Sequence, residues 1–122
     1  MKNTLLGDEF LWTCKKNYLE KITPSNKNTR STVGYKKIVS IANNYFEKDE
    51  YRDFAEFFKE EKYFVPLWAA HMLLEYGNPP DQLIIESLKV IENYLDNPLA
   101  PEVSKEEKNW LDDNKKLYED KF

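Results

Sequence analysis

From Phe64 to Leu95 the chain runs apolar, breaks once and runs apolar again, and this pattern predicts the centre of the molecule. The twelve residues from Val65 to Tyr76 contain one charged side chain, Glu75. A helix that apolar on most sides must be covered on more than one face. Ala69-Ala70 lets neighbouring backbones approach, while Trp68, Met72 and Tyr76 form a row of large side chains at i, i+4 and i+8. Gly77 is expected at a left-handed C-terminal position, and Pro79-Pro80 stops the helix. A second helix follows, with Pro80 and Asp81 at its start and Leu83, Ile84, Leu88, Ile91, Tyr94 and Leu95 as its apolar stripe.

The flanking pattern supplies the other elements. Asp8 caps a first helix to about Lys21, with Leu11, Cys14, Tyr18 and Ile22 inward. A second is expected from about Thr29 to Phe46, burying Tyr35, Ile38, Val39, Ala42, Tyr45 and Phe46, although Gly34 weakens its start. A third runs from the charged link Glu47–Glu50 to about Glu61, with Phe54, Phe57 and Phe58 facing the core. Ser104-Lys105-Glu106-Glu107 matches a capping box and starts the last helix, whose inner face is Trp110, Leu111, Asn114, Leu117 and Tyr118. With no strand-like alternation, the expectation is one all-α domain over residues 1–122, about six antiparallel helices in a stack.

Composition narrows the class. Aromatic residues at 15 % favour a folded core over disorder, and three glycines leave little for the tight turns of a sheet. A lone cysteine, Cys14, excludes an internal disulfide and fits a reducing cytoplasm as a small core residue. The N-terminal residues lack the apolar run of a signal peptide, and no stretch is long enough to span a bilayer, so no membrane partner is expected. The net charge of −4 is uneven: residues 1–46 hold eight Lys/Arg against three Asp/Glu, and everything after them is acidic. Nucleic acid is a poor partner for such a surface and a basic protein a good one.

A search for chemistry finds little. No Gly-rich phosphate loop can be built from Gly7, Gly34 and Gly77, and no spacing of ligands implies a metal or other cofactor. The single histidine, His71, reads as a helix-packing residue bonded to a carbonyl. Glu60-Glu61, Glu106-Glu107 and Asp112-Asp113 read as solvated pairs. An enzyme would need perturbed carboxylates gathered around His71. Asp49, Asp53, Glu56 and Glu60 fall at i, i+4, i+7 and i+11, an acidic stripe opposite the phenylalanines of the third helix. These four are the candidate contacts for a cationic partner, with Tyr51 and Tyr63 as aromatic anchors.

The run Leu67-Trp68-Ala69-Ala70-His71-Met72-Leu73-Leu74-Glu75-Tyr76 resembles the HEAT-like immunity proteins encoded beside bacterial polymorphic toxins, including those of contact-dependent inhibition. Asn26-Lys27 ahead of Tyr35-Lys36-Lys37-Ile38, and the step from Phe57-Phe58 into the Pro66 helix, are similar to the same group. The resemblance covers about residues 25–118 and leaves 1–24 as an N-terminal extension to a HEAT-like core over 25–122. It implies an α-α superhelix and a non-catalytic role: binding a cognate protein toxin, often a nuclease, in the cytoplasm and occluding its active site. A helical adaptor or scaffold for another protein is the alternative.

Overall fold

A computed structural model describes residues 4–121, which form six α-helices, four 3₁₀ turns and no strand. The helices are α1 (Thr4–Leu19), α2 (Val33–Glu47), α3 (Tyr51–Ala55), α4 (Val65–Tyr76), α5 (Asp81–Asn93) and α6 (Pro101–Asn114). The chain is all-α, and its order of packing is consistent with a stack of helical pairs.

The apolar run around Trp68 is the centre that its composition requires. Every residue from Val65 to Leu73 is buried, on all sides of α4. Trp68, Ala69, Met72 and Leu73 join Phe10 and Cys14 of α1, Tyr35, Ile38 and Ala42 of α2, and Phe54 of α3 in one cluster. Leu67 and Ala70 turn the other way and join Ile91, Val103 and Trp110 in a second. The two adjacent alanines thus serve opposite faces, each removing bulk where a neighbour comes close. α5 is the most extensive helical neighbour of α4, and α6 closes the second cluster through Val103 and Trp110.

The chain enters α4 through strained backbone. Tyr63 and Phe64 both adopt left-handed angles, φ 53° and 57°, which bulky L-residues avoid at a cost of roughly 1–3 kcal/mol each. Their rings repay part of this, Tyr63 against Tyr18 and Phe64 against Tyr94.

Several local expectations are corrected. α1 begins at Thr4, ahead of Asp8, because Leu6 already packs on the main cluster. Its buried face is Phe10, Thr13, Cys14 and Asn17, so Tyr18 is exposed, and Ile22 is buried from beyond the helix end. α2 starts only at Val33, where Thr32 accepts the Tyr35 N–H. Gly34 earns its place by packing: a Cβ there would overlap the Asn17 side chain, which donates to the Gly34 carbonyl at 3.2 Å. Gly77 is extended (φ −100°, ψ 179°), not left-handed; a Cβ would press on the Leu73 carbonyl and the Tyr51 ring.

The predicted third helix is broken. α3 ends at Ala55, a 3₁₀ turn spans Glu56–Lys59, and Glu60 is extended. α6 starts at Pro101, three residues before the supposed capping box, as proline favours the first turn. It ends at Asn114, so Leu117 lies on a following 3₁₀ segment and is exposed.

Candidate functional site

Two regions carry groups with potential chemistry: a polar network inside the fold and the acidic segment on its surface. The network is centred on His71, which is fully buried. Its Nδ1 donates to Glu75 Oε2 at 2.8 Å, one turn on along α4. Its Nε2 donates to Glu107 Oε1 of α6 at 2.6 Å, and Ser25 Oγ lies 3.0 Å from the same nitrogen. The ring meets Trp110 edge to face at 4.7 Å. Glu75 in turn holds Arg30 at 2.9 Å, and the Arg30 guanidinium lies over Tyr35, whose hydroxyl meets that of Tyr76 at 2.9 Å.

Electrostatics fix the charge of this network. Burial alone would pull the His71 pKa down, but the charge and hydrogen bond of Glu107, and then Glu75, push it up to about 9. Burial likewise opposes ionisation of Glu75, and His71 and Arg30 overcome it to hold the carboxyl below its usual value. The raised pKa favours the imidazolium form of His71 at neutral pH, held between Glu75 and Glu107. The carbonyl-bonded packing histidine expected from the sequence is corrected, and so is the solvated Glu106-Glu107 pair. Glu107 is fully buried, while Glu106 is partly buried, accepts from Thr23 at 2.6 Å and is raised by burial and by the adjacent acids.

Connectivity from Ser25 through His71 to Glu75 has the order of a nucleophile, base and orienting acid. As an imidazolium whose Nε2–H is given to Glu107, the ring has no lone pair with which to draw a proton from Ser25 in that state. What the arrangement does is tie the 23–30 segment, α4 and α6 together. Ser25, Arg30, Glu75, Glu106 and Trp110 line a polar cleft of about 1050 Å³, with Lys27 and Asp113 meeting at 3.7 Å on its rim. Among the described residues, no group of three His, Cys, Asp or Glu side chains is arranged to hold a metal ion. Cys14 is buried and its thiol pKa is driven up by burial.

The surface candidates do not form one line. Asp49 sits in a left-handed turn (φ 57°) ahead of α3, and Asp53 is on α3 itself. Glu56 is in the 3₁₀ turn, paired with Lys59 at 3.2 Å, and Glu60 lies beyond it. Asp49, Tyr51 and Asp53 border one shallow depression; Glu60 and Tyr63 border another, beside Trp12 and Lys15. Tyr51 is also used internally: its ring stacks on Phe46 at 4.9 Å and its hydroxyl accepts the Asn78 N–H at 2.9 Å. Tyr63 is half-buried, with Lys15 over its ring at 5.8 Å. Glu107, Arg30 and Ser25 escaped the sequence reading. For Glu107 a signal existed, since it shares a helix face with Val103 and Trp110.

No family model, curated protein or solved structure matches the chain. No helix of the described residues is long and apolar enough to cross a membrane.

Proposed function

We propose that the chain is an immunity protein, a non-catalytic HEAT-like helical stack that binds a cognate basic protein toxin in the cytoplasm and covers its active site. A nuclease domain is the toxin that suits it best, because such a domain must present Lys and Arg to phosphates. The observation that carries this reading is the acidic segment after α2. Asp49, Glu56 and Glu60 are exposed and Asp53 is half-exposed, and Glu56 pairs with Lys59 at 3.2 Å. Carboxylates placed this way steer a cationic partner at long range, and Tyr63 with its aromatic surroundings supplies contact area. Shifted carboxylates do gather around His71, as an enzyme would need, but the ring they surround is held protonated and fully buried, which favours binding over turnover.

Co-expression with the product of the adjacent gene tests the proposal directly. Rescue from toxicity together with co-purification supports it, and co-expression with neither outcome sinks it. Ionic strength separates it from the adaptor reading. Steering by the acidic segment predicts on-rates that fall steeply with salt, whereas an apolar peptide in a groove predicts little change.

A further inference from the structure

Along α1, Leu5, Trp12 and Leu19 are 72 %, 64 % and 69 % exposed. They fall at i, i+7 and i+14, so they form one line about 21 Å long. Helical geometry puts that line opposite the inward Phe10, Cys14 and Asn17. Within the chain, α1 packs chiefly on α2, α4 and the Lys62–Phe64 turn, the last beside the Asp8–Lys15 flank, and Trp12 itself stays 64 % exposed. The charges beside the line are ordered: Asp8 and Lys15 flank it on one side, Glu9 and Lys16 on the other, and all four are exposed.

We propose that this face is an interface with a second copy of the chain, α1 against α1, antiparallel about a two-fold axis at Trp12. The symmetry of the sequence selects this occupant. Leu5 and Leu19 lie seven residues either side of Trp12 and meet across the axis; on one flank Asp8 (four before) meets the partner's Lys15 (three after), and on the other Glu9 (three before) meets the partner's Lys16 (four after), each to within one residue's rise. Each pairing occurs twice, as an isologous contact requires. Parallel packing would instead set Asp8 beside the partner's Glu9 and Lys15 beside the partner's Lys16, like against like, so charge fixes the orientation. Among the described residues, Glu9 makes a loose contact with Lys37 at 3.7 Å between exposed side chains, and Lys15 lies over the rings of Trp12 and Tyr63 at 5.9 and 5.8 Å. A lone helix pair of this length gives an interface at the small end of specific contacts, which places association in the micromolar range or weaker.

Sedimentation velocity of the full chain over a wide concentration range tests this. The wild-type chain should move from monomer to dimer, and Trp12→Ala should remain monomeric. K15E/K16E and D8K/E9K should each dimerise at least roughly tenfold more weakly, through four like-charge contacts. An equimolar mixture of those two double variants should associate again, and the quadruple charge swap should recover the homodimer. Far-UV circular dichroism identifies any variant that loses helix; Trp12→Ala, which changes no charge, then decides. A wild-type chain that stays monomeric at millimolar concentration overturns the proposal. So does a dimer indifferent to Trp12→Ala and K15E/K16E, or a mixture that fails to reassociate.

Discussion

His71 is the only histidine in the chain, so its ring resonances report one site without ambiguity. Its folded pKa of about 9 lies above the ordinary 6.5, so the network stabilises the fold fully below about pH 6.5. That contribution is lost as pH rises towards 9; at full size it is ~3 kcal/mol. Glu75 works in the opposite sense: its lowered pKa gives stability that is present above the ordinary carboxylate range and lost in acid. Urea midpoints measured from pH 6 to 9 should therefore fall, and an NMR titration should place His71 near the upper end of that window. Glu107→Gln should bring the His71 pKa down and flatten the slope. Glu107→Ala, which leaves the imidazolium facing an empty site, should cost roughly 3–5 kcal/mol. Midpoints that rise from pH 6 to 7 would mean that His71 is buried neutral, and a flat profile that its pKa is not raised. Gly34 makes a different residue-scale case. Asn17 is fully buried and cannot swing away, so Gly34→Ala should destabilise by about 1–3 kcal/mol, read as a lower urea midpoint.

At the scale of elements, legibility followed the strength of the local signal. α4 and α5 were readable because their apolar periodicity is long and bounded by Gly77 and Pro79-Pro80. α6 was misread at its start because Ser104 and Glu107 have the capping-box spacing, yet both are spent elsewhere. Ser104 donates to the Tyr94 carbonyl at 2.7 Å, and Glu107 reaches His71 across 36 positions of sequence. Contacts that distant leave no trace in local pattern, which is why the polar network was invisible. The third helix failed for a related reason: its stripe assumed regular 100° steps, and the 3₁₀ turn at Glu56–Lys59 changes the step. The acidic segment still makes a clear prediction. Reversing Asp53 and Glu56 to lysine should slow association with the toxin by roughly tenfold at low salt. The melting temperature should change little; a large drop would show that these carboxylates serve the fold instead.

The whole molecule depends on α4 belonging to two cores at once. One face of the helix holds α1, α2 and α3 through Trp68, Met72 and Leu73; the other holds α5 and α6 through Leu67 and Ala70. Neither cluster has a centre without it, and the His71 network adds a polar tie between α4, α6 and the 23–30 segment. The two clusters should therefore unfold together, because losing either one exposes a helix with no polar face to turn to water. Trp110 reports on the second cluster, while far-UV circular dichroism reports on all helices. Urea transitions followed by the two signals should share one midpoint, with Trp12 and Trp68 replaced singly by phenylalanine to assign the fluorescence. Trp68→Ala removes a fully buried indole from the first cluster and should cost roughly 3–5 kcal/mol. It should shift the Trp110 signal as far as the helical signal, although Trp110 lies in the other cluster. Separate midpoints, or a Trp110 transition indifferent to Trp68→Ala, would divide the fold at α4 and deny that helix its central role.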